Sequence, residues 1–170
     1  IHDFIAQFPN SMEGYLRRAI YYMGLNDATQ FASADKDFEK AIEVASVKED
    51  AYYQAAKAIY NYILSMNGKV EYQGWSYDKA LELVQNAIKL TGQPIHIQLE
   101  GDILFAQGKY AEALAAYEKV NKSPLASVES FYSASKTKQM MEGADMNEAL
   151  ALMDSAIVRL RKPYFSEAAP

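Results

Sequence analysis

Few residues in this chain have the type and spacing that metal binding requires. Cysteine is absent, which excludes a thiol nucleophile, a zinc–thiolate site and a disulfide framework. The two histidines, His2 and His96, lie far apart in the sequence, whereas a metal site needs clustered ligands. We therefore expect both to be surface or partly packed side chains, with no metal and no cofactor.

Two short motifs match a nucleophile pattern. Ser33-x-x-Lys36 and Ser133-x-x-Lys136 both have the Ser-Lys spacing of penicillin-binding proteins. The companion motifs are absent, and two matches within similar helical segments indicate coincidence. We expect no catalysis from either motif.

Carboxylate pairs form the remaining candidates for acid–base chemistry. Asp35 with Asp37, and Glu39 with Glu43, lie within one amphipathic segment. A catalytic carboxylate needs burial or a shaped cleft to shift its pKa, and the polar face of a helix is expected to be solvated. The sequence also lacks a phosphate-binding Gly-rich loop and a G-x-S-x-G motif. It therefore favours a protein that is not an enzyme.

The composition is that of a folded protein with an acidic balance. Its 170 residues include 50% hydrophobic side chains, with 17 Lys and Arg against 22 Asp and Glu. This excludes intrinsic disorder, and the lack of a basic segment argues against nucleic acid as a partner. No apolar run approaches the ~18 residues of a membrane span, so we expect no membrane insertion. A soluble protein is expected, cytoplasmic or, if a signal peptide was removed, periplasmic.

A repeated phrase organises the chain. Asp78-Lys79-Ala80-Leu81, Ala111-Glu112-Ala113-Leu114 and Asn147-Glu148-Ala149-Leu150 place their alanines 33 and 36 residues apart. Each phrase opens a run with apolar residues every three to four positions, which is typical of an amphipathic helix. A fourth run with the same spacing lies at Ala34, Phe38, Ala41, Ile42 and Ala45, and a second run of this kind precedes each of the four. The pattern predicts eight helices in four pairs, near 12–25, 32–47, 50–66, 76–91, 94–107, 110–122, 126–142 and 146–162.

These residues resemble the tetratricopeptide repeat, a helix pair of about 34 residues. The best match places Gly101 at the family's glycine position and Gly108-Lys109-Tyr110 at the turn. It continues with Ala113, Tyr117 and Pro124 at the family spacing. The other three repeats match more loosely, and the fourth is the weakest.

The resemblance implies an all-α fold: a right-handed α-solenoid superhelix of about four antiparallel helix pairs in a single domain, 1–170. The repeats would lie near 12–47, 50–91, 94–125 and 126–162. Residues 1–8 would be the tail of a preceding helix, and residues 163–167 would begin a further repeat, so we expect a piece of a longer repeat protein. Incomplete ends expose apolar faces, which makes self-association through them a candidate interaction.

Small residues are expected where the helices of a pair cross. Gly101, Ala19 and Ala56 would let two backbones approach, and a large aromatic residue would fill the groove opposite. The aromatic residues that fit this role are Phe38, Tyr117 and Tyr22.

Repeat two departs from the family spacing. Tyr52 and Ala80 are 28 residues apart, whereas Ile97 and Ala113 are 16 apart. The extra residues, 65–75, contain the tight-turn dipeptide Asn67-Gly68 and the only tryptophan, Trp75. We expect a loop or short hairpin in which Trp75 either covers an apolar end of repeat two or adds a contact surface. In the second case, shortening residues 67–74 would spare the fold.

The resemblance also implies a binding groove. In the family, the first helix of each pair lines a concave surface that receives a peptide or helix of a partner protein. Three positions per repeat transfer to this chain: Leu16, Ile20 and Met23; Tyr53, Lys57 and Tyr60; Gln98, Asp102 and Phe105; and Tyr132, Lys136 and Gln139. Leu16 and Ile20 cannot donate hydrogen bonds, which argues against the clamp that some members form around a carboxylate.

The leading function is therefore a non-catalytic scaffold that binds a protein or peptide partner. The alternative is a structural spacer or docking domain within a larger protein. An enzyme is the third interpretation, and the sequence offers no convergent catalytic site to support it.

Overall fold

The part of the chain that the structure describes is all-helical. The structure is a computed structural model that describes residues 1–141, 143 and 145–165. Within these residues it has nine α-helices and no strand. The helices are α1 His2–Gln7, α2 Met12–Gly24, α3 Ala28–Val44, α4 Lys48–Ser65, α5 Tyr77–Leu90, α6 Pro94–Ala106, α7 Tyr110–Asn121, α8 Val128–Met140 and α9 Met146–Phe165.

All eight predicted helices are present, and a short ninth helix, α1, lies within residues 1–8. The largest difference is at α3, which begins four residues earlier than predicted. Asp27 accounts for this, because its Oδ1 accepts a hydrogen bond from the backbone N–H of Thr29 at 2.9 Å and caps the helix. At the other end, α9 extends to Phe165. Ser166 and Glu167, part of the predicted further repeat, lie outside the described residues.

Contacts divide the chain into two compact units, residues 1–92 and 93–170. In the first unit α2 packs mainly against α3, and α4 packs mainly against α5. In the second unit α6 packs against α7, α7 against α8, and α8 against α9. The predicted pairing of neighbouring helices is therefore present within each unit.

Small side chains line the helix contacts of the first unit. Ala19, Ala34, Ala55, Ala56 and Ala80 have no exposed surface. Since a methyl group keeps two helix axes close, these positions allow the larger apolar side chains beside them to interdigitate. Ala19 and Ala56 thus have the burial expected of residues at a helix crossing.

A buried ion pair joins α2 to α3. Arg18 Nε and Nη2 donate to the two carboxylate oxygens of Asp37 at 2.7 Å each, and Asp37 is buried. The hydrogen bond to Asp37 is the largest cause of a raised pKa at Arg18. Because both groups are largely removed from water, either one left alone would destabilise the unit.

The segment between α4 and α5 forms a loop, as predicted, and its tryptophan belongs to the core. Trp75 is only 2% exposed, and its ring lies 4.9 Å from Phe31 and 5.2 Å from Tyr62, measured between centroids. Tyr72 joins the same cluster at 5.0 Å from Trp75. Trp75 therefore packs rather than adding a contact surface, but it lies between Phe31 of α3 and Tyr62 of α4 instead of covering an end of repeat two alone.

Two hydrogen bonds fix this loop to α3. The indole Nε1 of Trp75 and the hydroxyl of Tyr72 both donate to the carboxylate of Asp35, each at 3.3 Å. Residues 67–74 therefore supply an aromatic side chain, Tyr72, to the first unit, and we expect that shortening them would destabilise it.

In the second unit α6 and α7 approach closely at a glycine. A Cβ atom built on Gly101 would lie 2.6 Å from Cε1 and 2.9 Å from Cδ1 of Tyr117, a ring that is itself fully buried. The Tyr117 ring thus occupies the space that a side chain at position 101 would need. This is the small-against-aromatic contact predicted from the sequence.

Whether Gly101→Ala raises or lowers the free energy of unfolding tests that contact. Glycine to alanine in a helix ordinarily stabilises by about 0.5–1 kcal/mol. At position 101 we expect a loss of about 1–3 kcal/mol in the free energy of unfolding, because the new methyl group overlaps the Tyr117 ring. Gly24→Ala is the matched control, since nothing lies within 4 Å of a Cβ built there. Urea unfolding followed by circular dichroism measures both; stabilisation of both variants would contradict this packing.

Candidate functional site

A cleft opens in the first unit between α2 and α4. It has a volume of about 400 Å³, and its walls combine apolar, amide and hydroxyl groups with one lysine. The residues that line it are Ile20, Met23, Gly24, Gln54, Lys57, Ala58, Asn61, Tyr62 and Ser65. Ile20 remains 51% exposed at this site, so the cleft presents an accessible apolar side chain.

Three of the six residues predicted for this unit line the cleft: Ile20, Met23 and Lys57. Leu16 and Tyr53 are instead buried in the core and present little surface. On α2 this follows from helical spacing, because Leu16, Ala19 and Met23 recur every three to four residues and share the packed face. Tyr60 is half-buried and contacts Tyr77, with ring centroids 6.3 Å apart.

The polar wall of the cleft was not predicted from the sequence. Gln54, Asn61 and Ser65 come from one face of α4, at spacings of three, four or seven residues around Lys57 and Ala58. The spacing itself was the signal that could have identified them once Lys57 was placed on the accessible face. Their amides and hydroxyl supply both donors and acceptors to whatever occupies the cleft.

Tyr62 closes one side of the cleft. Its hydroxyl donates to Asn26 Oδ1 at 2.7 Å, which joins α4 to the end of α2. Burial is the main cause of a raised pKa at Tyr62, with the negative charge of Glu71 contributing. The phenol therefore stays protonated and acts as a fixed donor.

In the second unit, predicted residues of α6 and α8 meet on one surface, which we call the α6–α8 face: Gln98, Asp102, Phe105, Ser133 and Lys136. Gln98 Nε2 lies 3.4 Å from Ser133 Oγ, and Lys136 Nζ lies 5.0 Å from the centroid of the Phe105 ring. The structure thus brings together four residues that the sequence selected, and it adds Ser133. Tyr132 and Gln139 are exposed on α8.

Asp102 is the most perturbed group of the α6–α8 face. Its Oδ1 accepts hydrogen bonds from Tyr117 Oη at 2.8 Å and from Gln98 Nε2 at 3.1 Å. Burial raises the pKa of Asp102 above its ordinary value, and the charge of Glu129 adds to this. The two hydrogen bonds act in the opposite direction but do not cancel the effect of burial.

The residues first considered for chemistry have structural partners. Asp35 and Asp37 are engaged by the aromatic loop and by Arg18, so the expectation that both are solvated is wrong. His96 is buried, and His2 lies 3.3 Å from Arg18 Nη1 and 3.2 Å from Tyr22 Oη. Among the residues that the structure describes, no three His, Asp or Glu side chains are arranged to hold a metal ion.

Comparison with known proteins does not place the chain in a family. No protein-family model matches the sequence, and no curated protein matches it. Within the described ranges, no helix combines the length and the apolar character needed to cross a membrane.

The raised pKa of Asp102 predicts a pH-dependent cost to stability. A carboxyl whose pKa is higher in the folded state binds its proton more tightly there, so stability declines as pH rises from the ordinary carboxyl pKa through the folded one. Asp102→Asn keeps an oxygen that accepts from Tyr117 but removes the charge. We expect the variant to melt at a higher temperature than the wild type at neutral pH, with the difference shrinking in acid. If the wild type melts at a higher temperature than Asp102→Asn at neutral pH, the expected cost of burying the charged carboxylate is contradicted.

Proposed function

We propose that this protein is a non-catalytic interaction module that binds a peptide or helix of a partner protein on the faces of its first helices. One observation supports the proposal above others. In each unit, positions on two first helices, chosen from the sequence alone, come together on a common surface: Ile20 and Lys57 at the α2–α4 cleft, and Phe105 and Lys136 on the α6–α8 face. In both units these surfaces retain accessible side chains.

We also propose that the module is of the tetratricopeptide type, with its helix pairs arranged as a right-handed α-solenoid. The contact between Gly101 and Tyr117 supports this, because both occupy positions that the family spacing assigns. In helix pairs of this kind the first helices line the concave surface that receives a partner.

The chemistry of the α2–α4 cleft suits a short segment of protein chain. Ile20 offers exposed apolar surface and the largely buried Met23 forms part of the wall, while Gln54 and Asn61 can bond to the main chain of an extended peptide. Lys57 provides a positive charge, with its Nζ 5.7 Å from the Tyr53 ring. A mixed surface of this kind provides both affinity and orientation.

A docking or spacer domain is the second candidate, and the surface of α9 favours it. Leu150, Ile157, Val158 and Leu160 are all more than two-fifths exposed on this helix. Exposed apolar residues in such number mark a contact with another protein surface, which could be a neighbouring domain or a second copy.

A matched pair of variants on α2 tests the proposed function. Ile20 lines the cleft, whereas Tyr21, the next residue, does not, and their exposed fractions are 51% and 53%. Ile20→Asp places a charge among the apolar groups of the cleft, and we expect about tenfold weaker retention of a protein partner from the protein's own cell extract. We expect Tyr21→Asp to retain the partner as the wild type does.

Because both positions are exposed, we expect both variants to fold, and circular dichroism of each variant checks this. Partners that bind all three proteins equally would contradict the role of the cleft. If no protein is retained by the wild type, while a neighbouring domain or second copy binds α9, the docking-domain alternative takes the place of the scaffold.

A further inference from the structure

We propose that the α6–α8 face recognises an arginine side chain of the partner segment, held between the carboxylate of Asp102 and the ring of Phe105. This inference rests on the proposed function and specifies the chemistry of one of its two surfaces. Three features of the face support it: an incompletely bonded carboxylate, an aromatic ring that already receives a cation, and an excess of negative charge.

The carboxylate of Asp102 is half satisfied. Tyr117 Oη and Gln98 Nε2 both donate to Oδ1, and within the described residues no donor reaches Oδ2. The side chain is largely withdrawn from water but keeps an exposed part. Because the side chain is already partly desolvated in the unbound protein, a charged donor that reaches Oδ2 would form a strong hydrogen bond.

The Phe105 ring is a cation-binding surface in the unbound protein. Lys136 reaches across from α8 and places its ammonium 5.0 Å from the ring centroid. Lys136 is exposed, so it can move into solvent at little cost and leave the ring to a partner group. A guanidinium fits the vacated position better than an ammonium, because it is planar, stacks on aromatic rings and still presents N–H groups to a carboxylate.

The charges around the face favour a cationic occupant. Asp102 and Glu129 are close enough for the second to raise the pKa of the first, and Lys136 is the one basic residue among the five that define the face. Displacing Lys136 from the ring leaves two negative charges to attract the incoming group. An acidic side chain in the same position would be repelled by both Asp102 and Glu129.

The test selects, from a display library of random linear peptides, those that bind the full chain. No partner has to be identified in advance. We expect the selected peptides to be enriched in arginine. For a selected peptide, Asp102→Asn should weaken binding by about 10- to 100-fold, the range for loss of a hydrogen bond to a charged group. Asn keeps an acceptor for Tyr117, so the fold is retained, as melting can verify. Glu112→Gln, an equal change of charge at an exposed position on α7, should have no effect.

Lys136→Ala gives a result of opposite sign. Removing the resident cation should leave binding of arginine peptides unchanged or strengthen it, whereas a face that binds acidic peptides would lose affinity. Replacement of the peptide's arginine by citrulline, which is uncharged, should reproduce the loss caused by Asp102→Asn. Peptides without arginine, or arginine peptides that are insensitive to Asp102→Asn, would overturn the inference and leave the proposed function standing. Failure to select any peptide would count against both.

Discussion

Close approach of neighbouring helices at small residues is the constraint on which each unit depends. Eight alanines in the first unit have no exposed surface, and in the second a tyrosine ring fills the space beside Gly101. Where backbones come this near, a single added methyl group overlaps the opposing side chain, so the choice of residue sets the packing of the pair. Most of the helical stability must come from this packing, because short helices such as the 12-residue α7 are marginal on their own in water.

This packing divides each first helix into a core face and an accessible face. On α2, the side chains of Leu16, Ala19 and Met23 are buried, whereas Ile20 on the same helix is half exposed. Accessible residues of α2 and α4 then border one cleft, and residues of α6 and α8 border one face. The arrangement leaves side chains of the two surfaces free to differ in chemistry, with Lys57 at one and Asp102 at the other, without disturbing the small residues that hold the helices together.

Helical periodicity was sufficient to predict the elements, and Gly101 was recognisable because a glycine within a helix needs a packing reason. The family positions assigned Leu16 to the groove, although its spacing with Ala19 and Met23 already indicated the buried face of α2. For Tyr53 no such signal was available, because the width of the buried face of α4 depends on how many helices pack against it. Nor could it predict the role of the 65–75 loop. Trp75, Tyr72 and Asp35 meet through folding of the loop onto α3, and a contact across 37 to 40 residues leaves no periodic signal. The same limitation applies to Asp37. Its helical pattern predicted an exposed side chain, but Asp37 is buried and forms an ion pair with Arg18.

The central claim is that the first helices bind while the second helices support them. Hydrogen–deuterium exchange of the full chain, with and without a saturating peptide from the display selection, tests this most directly, because exchange reports on each helix separately. The account predicts that the peptide slows exchange in α2 and α4 or in α6 and α8, and leaves α3, α5 and α7 unchanged. Protection confined to α3, α5 and α7 would contradict it.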